Sequence, residues 1–265
     1  MLKEELYKTF KSKKSLLLFS YLMIVALADN VCGIVQSRET GGYFNVHPTF
    51  ISLLSGQSAL VFYALFFWIF PITITLLYCG RYAQENKSHM NYIYISKAGR
   101  RKCFASKLAC SFIVSTVCTG IPLVINLIIS ILFLNGGTSF LGFEELKASD
   151  FLANGHGSEF LYYCFHHPYV AWLVYFIITI LVMGLAGIMS QCIAMISKDI
   201  KITLSVSFAI WISLFSIKYD ITMAIQPFTE YGLDFGIKAL AIYIPIVIAS
   251  VVLSYIFTVV KKDEI

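Results

Sequence analysis

Histidine and carboxylate side chains are gathered in one stretch of the chain. Residues 135–168 hold Glu144, Glu145, Asp150, His156, Glu159, His166 and His167, residue types that ligate zinc or exchange protons with a substrate. The spacing speaks against a metal centre. His166 and His167 are adjacent, whereas two ligands on one helix face need an i, i+4 step. A solvated acidic loop with interfacial histidines fits better. The chain contains no GxxxxGK[ST], HExxH or GxSxG motif, and no GxGxxG leading into a nucleotide-binding fold. Phosphate-loop, zinc-protease and serine-hydrolase chemistry therefore have no sequence basis here. The expectation is a chain with no catalytic residue, no metal and no cofactor of its own.

Charge is concentrated elsewhere. The stretch GRYAQENKSHMNYIYISKAGRRKCFASKL, residues 80–108, carries seven of the 20 Lys and Arg residues and is flanked by apolar sequence. Hydrophobic residues make up 58% of the 265 positions and charged residues 13%, and the mean hydropathy is +0.77. Soluble domains have about 45–50% apolar and about 25% charged residues, so both values depart in the membrane direction. A net charge of +5 could suggest nucleic acid, but the basic residues sit in short segments between apolar runs, which is a membrane-topology pattern.

A hydrocarbon core about 30 Å thick takes roughly 20 apolar residues in a helix. Six apolar runs stand out, at about 15–36, 57–79, 108–134, 169–196, 203–217 and 239–260; the fifth is short for a full crossing, so that Lys218 snorkels or the helix continues towards Ile225. Each must be helical to satisfy its backbone in lipid. The fold class expected is an all-α membrane protein, one transmembrane domain over 1–265. The segments 1–14, 80–107, 197–202 and 261–265 carry sixteen Lys and Arg residues, against Arg38, Lys147, Lys218 and Lys238 on the other side. That bias places both termini and the basic stretch in the cytoplasm of a cell-membrane protein. The N-terminus has the charge and Ala26-Leu27-Ala28 of a signal peptide, but its apolar run continues past Asp29 and Asn30 far enough to span. Residues 2–10 read as an interfacial helix, with Leu2, Leu6 and Phe10 on one side and Lys3, Lys8 and Lys11 beside them. Asp29 and Asn30, towards the outer end of span one, are expected to reach water.

Two stripes of small residues recur at helical spacing: Ser111, Ser115 and Thr119 along span three, and Ser205, Ala209 and Ser213 along span five. Such stripes let membrane helices approach closely. They serve either packing or the lining of a substrate pathway, and packing within the bundle is the plainer reading. Pro71 and Pro122 are expected to kink spans two and three, and Gly184 and Gly187 to thin span four. The seven cysteines form no CxxC pair and read as small hydrophobes.

The order of residues after span two now matters. Glu85 and Lys87 are followed by Tyr92, Ile93, Tyr94 and Ile95, then Ser96 to Arg101 with Arg100 and Arg101, and then Lys107 at the opening of span three. This resembles the type-2 ABC transporter permease family, in which an Glu-x-Lys-like element, a short coupling helix, a serine-arginine element and a lysine follow the second span. The proline that often precedes the arginine element is absent. The resemblance implies a cytoplasmic coupling segment formed by Glu85, Lys87, Tyr92, Ile93, Tyr94, Ile95, Arg100, Arg101 and Lys107. It also implies that ATP and magnesium are bound by a separate ATPase subunit, in two copies, and that a second permease chain, identical or related, completes the pathway. Export of an amphipathic compound such as a drug, lipid or antimicrobial peptide would follow. The rival classes are a stand-alone membrane enzyme using the His, Asp and Glu side chains of 135–168 and an immunity-type protein that protects by binding.

Overall fold

The structure, a computed structural model, describes residues 2–39, 47–56, 59–134, 163–164, 166–228 and 233–260. Among these the regular elements are all helices. α1 (Leu2–Lys11) leads through Ser12 into the long α2 (Lys13–Glu39). A short α3 (Pro48–Ile51) follows, its N-terminus capped by the His47 ring. Next come α4 (Leu60–Tyr63), a π turn over Ala64–Trp68, α5 (Phe70–Ile74), a second π turn over Thr75–Cys79, and α6 (Gly80–Lys87). α7 (Met90–Ala98) and the long α8 (Arg100–Phe133) complete the first half. The second half contains α9 (Pro168–Ser197), α10 (Ile200–Ser216), α11 (Thr222–Ile225) and α12 (Leu233–Tyr255), which ends in a π turn over Ile256–Val260.

Among the described residues, four helices are long and apolar enough to cross a membrane: Lys13–Arg38, Arg100–Phe133, Pro168–Ser197 and Leu233–Val260. Leu60–Trp68 and Phe70–Lys87 make a fifth if they are counted as one span bent by 42°, and Ile200–Ser216 is a shorter apolar helix. The chain is an all-α protein with the build of a multi-pass membrane protein. Arg100–Phe133, at about 1.5 Å per residue, is about 50 Å long and exceeds any hydrocarbon core. The basic residues expected to lie ahead of span three are therefore helical and continuous with it.

The bend in the second segment has a local cause. Pro71 has no N–H, so the carbonyl of Phe67 loses its i+4 donor. The indole Nε1 of Trp211 donates to that carbonyl at 2.9 Å. Pro122, by contrast, sits inside α8 without ending it.

The centre of the bundle is the contact of α8 with α9. Ser111 Oγ donates to the carbonyl of Gly187 at 2.8 Å, and Cys79 Sγ lies 3.8 Å from the same oxygen. A Cβ on Gly187 would come 2.0 Å from Ser115 Oγ and 3.0 Å from the Ser111 carbonyl. On Gly184 it would strike Phe112 at 2.5 Å. The stripe Ser111, Ser115 and Thr119 is buried in this contact, as small-residue packing requires. The span-five stripe does otherwise: Ser205, Ala209 and Ser213 are exposed, and α10 buries Thr203, Ser207, Trp211 and Leu214 instead. The i, i+4 step identified a helix face, but Trp211 and its bond to Phe67 decided which face turned inward. Asp29 and Asn30 also differ from expectation, because both are buried. Asn126 explains this. Its Nδ2 donates to Ala26 O at 2.8 Å and lies 3.3 Å from Asp29 Oδ2. Its Oδ1 accepts from Leu53 N at 2.8 Å, and its carbonyl accepts from Asn30 Nδ2 at 3.0 Å.

The α8–α9 contact leaves no room for a methyl group. Gly187→Ala is expected to cost ~1–3 kcal/mol by overpacking, read as a fall in melting temperature in detergent. Adding Ser115→Ala, which removes the nearest oxygen, should recover part of it. Wild-type melting of the single variant would show that the helices are not in this contact.

Candidate functional site

The site is built where α1, α6, α7 and α8 meet. Lys107, in the second turn of α8, is buried, and its Nζ lies 2.6 Å from Glu85 Oε2 and 3.1 Å from Glu5 Oε1. The side chains of Lys107, Glu5 and Glu85 are 3%, 7% and 14% exposed. The Tyr78 hydroxyl donates to Glu5 Oε2 at 3.0 Å. The rings of Tyr82 and Tyr94 flank the ammonium at 5.5 Å and 5.8 Å from their centroids, within cation–π range. Two carboxylates thus share one lysine, and the remaining acceptor capacity of Glu5 is taken up by a phenol. That is the satisfaction a buried ion needs.

Around this triad a second set of bonds ties α1 down. Arg81 donates to Thr9 Oγ1 at 3.1 Å and to the Lys8 carbonyl at 3.2 Å. The latter is an orphan acceptor in the last turn of α1. Lys8 Nζ donates to the Tyr94 hydroxyl at 3.0 Å, and this bond holds the Lys8 ammonium above the usual lysine range.

α7 owes its separateness to two residues with positive φ. His89 has φ 57° and Gly99 φ 82°, so the helix breaks before Met90 and again after Ala98. A side chain at position 99 would meet nothing within 4 Å, and it is the backbone angle that favours glycine there. Asn91 secures the first break: with its carboxamide oriented so that both ends are satisfied, its nitrogen donates to Glu85 Oε2 at 3.3 Å and its oxygen accepts from Asn86 N at 3.3 Å. The same carboxylate therefore holds Lys107 and the start of α7.

Of the residues singled out in the sequence, the structure brings Glu85, Tyr94 and Lys107 together. Lys87, Ile93 and Arg101 are exposed, while Ile95 and Arg100 are half-buried; the Tyr92 side chain lies outside the described residues. Tyr94 turns towards Lys8 and Lys107, so the outward surface of α7 is carried by Met90, Ile93 and Lys97. Glu5, Tyr78, Arg81 and Asn91 were missed. Glu5 had one signal: with Thr9 it interrupts, at i, i+4, the apolar side of α1 formed by Leu2 and Leu6. Of the outer acidic and histidine residues, His166 and His167 are exposed, and Glu144, Glu145, Asp150, His156 and Glu159 lie outside the described residues. Among the described residues no group of three His, Cys, Asp or Glu side chains could hold a metal ion. Chemically the arrangement is a clamp: it fixes four helices to one another through charge.

No protein-family model matches the chain, and no solved structure matches it. It is similar to an uncharacterized protein, YybM, of Bacillus subtilis (strain 168), with 26% identity over 259 residues that cover 96% of this chain and 97% of that one. The likeness runs nearly the full length of both and names no activity.

Lys107→Met leaves Glu5 and Glu85 buried face to face. Removing one partner of a buried ion network costs ~3–5 kcal/mol, so the melting temperature should fall steeply. Glu5→Gln combined with Lys107→Met should cost less than the sum of the single changes. Strict additivity in that cycle would mean that the two side chains do not meet.

Proposed function

We propose that the chain is the membrane subunit of an ATP-driven transporter of the type-2 ABC permease kind. In this reading it has six spans, with the bent pair Leu60–Lys87 and the short α10 each crossing once, and both termini on the cytoplasmic side. α10 covers about 25 Å at 1.5 Å per residue, and Lys218 at its end reaches the headgroups by snorkelling. ATP and magnesium are held by two copies of a separate ATPase. A second permease chain completes the pathway, and the cargo is an amphipathic compound.

The observation that carries the reading is the setting of α7. It is a separate helix between two spans, held by its inner side to a buried triad while Met90, Ile93 and Lys97 face outward; Ile93 is 49% exposed. An apolar centre with a basic rim suits a protein contact, and a push on such a helix passes to α1, α6 and α8 through charged bonds instead of being absorbed in a loop. The charge asymmetry of the sequence supports the cytoplasmic side for this helix.

Two measurements test it. A Lys97→Cys reporter should react with an impermeant thiol reagent only after the membrane is opened; reaction in intact cells reverses the orientation. Wild-type protein should retain a stoichiometric ATPase on purification. Met90→Asp with Ile93→Asp should lose it while melting like wild type, since neither residue touches the triad. A wild-type chain that brings down no ATPase, or a double variant that keeps it, would end this reading.

A further inference from the structure

α1 has two opposed sides, and the clamp uses only one. Glu5 and Thr9 are buried against α6 and α8, with Leu2 and Leu6 half-buried beside them. The opposite side is formed by Lys3, Tyr7, Phe10 and Lys11, at i, i+4, i+7 and i+8, and all four are exposed. Tyr7 is 64% and Phe10 47% exposed. Lys11 is held against Tyr7, its Nζ 3.1 Å from the hydroxyl and 5.3 Å from the ring centroid. The basic run continues into exposed Lys13 and Lys14, and within a turn α2 presents Leu16 and Leu17, also exposed, as the start of its apolar side.

This order fixes the level at which α1 lies. Lys13 and Lys14 end the apolar span, so they sit among headgroups, and α1 joins them through the single residue Ser12. A side that mixes aromatic rings with ammonium groups at that level is matched to the polar–apolar boundary of a leaflet. Four lysines, Lys3, Lys11, Lys13 and Lys14, call for negative charge there. We infer that the Lys3–Tyr7–Phe10–Lys11 side of α1, with Lys13 and Lys14, docks on anionic phospholipid headgroups, so that α1 is held from one side by the Glu5–Lys107–Glu85 triad and from the other by an acidic leaflet. The partner is a lipid surface. The inference rests on the chain lying in a membrane with α1 at its surface and uses no property of an ATPase.

Each lysine near an acidic leaflet strengthens attachment on the order of fivefold, and the effect is screened within a Debye length as salt rises. The experiment is hydrogen exchange of the α1 amides in the full chain, held in nanodiscs of phosphatidylcholine or of phosphatidylcholine mixed with phosphatidylglycerol. Phosphatidylglycerol should slow exchange over residues 2–11 by about tenfold or more at low salt, an effect that high salt removes. Lys107→Met, which loosens the inner hold, should make α1 exchange fast in phosphatidylcholine and still protected with phosphatidylglycerol. Replacing Lys3, Lys11, Lys13 and Lys14 by Gln should abolish the lipid effect, and replacing them by Arg should keep it. Equal exchange in both lipids, or an effect that survives the Gln replacements, would overturn the inference whether or not an ATPase binds the chain.

Discussion

One ammonium group governs the end of the bundle where the sequence is most basic. Lys107 projects from a helix whose next turns are apolar, and its charge is taken out of water. The desolvation cost for such an ion is several kcal/mol, and only close carboxylates and hydrogen bonds offset it. Glu85 at 2.6 Å and Glu5 at 3.1 Å supply them. Because the three residues come from three separate helices, satisfying one lysine fixes α1, α6 and α8 together, and Asn91 extends the constraint to α7. An apolar core could give as much stability. The triad adds a directional requirement, because its three partners must meet at hydrogen-bonding distance. The clamp therefore specifies position more than it adds stability.

The same constraint, that nothing polar goes unpaired out of water, shapes the opposite end. Chain that is not helical survives inside a membrane protein only where other groups satisfy it. The segment after α3 meets this through side chains: Leu53 N donates to Asn126, Ser52 Oγ accepts from Trp172 Nε1 at 3.0 Å, and the Ser55 carbonyl accepts from Gln226 Nε2 at 2.6 Å. The Ile225 carbonyl, at the end of α11, accepts from Thr179 at 3.1 Å. Phe50 and Phe228 close over these bonds with ring centroids 4.3 Å apart. The two irregular segments, far apart in sequence, cover each other.

The helices were legible because composition in lipid admits little else: the runs at 15–36 and 169–196 lie within α2 and α9, and the run at 108–134 matches α8 except that the helix begins eight residues earlier and ends one residue sooner. Glu85 and Lys107 were singled out through the resemblance to the permease family, by the Glu-x-Lys-like element and the lysine opening span three. Pairing across the chain was not legible. Glu5 looks like one more charge in a mixed N-terminal segment, and only the fold carries it to Lys107. Asp29 shows the same limit from the other side. Depth along a helix suggested water, but the direction of its face depended on Asn126, almost a hundred residues away. The span-five stripe does not pack within this chain, where Ser205, Ala209 and Ser213 are exposed, because small residues permit close packing without requiring it.

These features make α8 the shared strut of the molecule. Lys107 anchors it in the ion triad, and about 28 Å further along the helix Asn126 anchors it to Ala26, Asn30 and Leu53. Between these anchors its contact with α9 is mostly shape. Ser115, Ser190 and both polar atoms of Gln191 are buried, and they find no hydrogen-bond partner among the described residues. Thr75 and Ser207, on the neighbouring spans, share that condition. This contact is thus made by close shape with few directed bonds, whereas each end is held by several. Motion of α8 against α9 would strain few directed bonds in the middle, chiefly Ser111 and Cys79 to the Gly187 carbonyl, whereas motion at either end would break several at once.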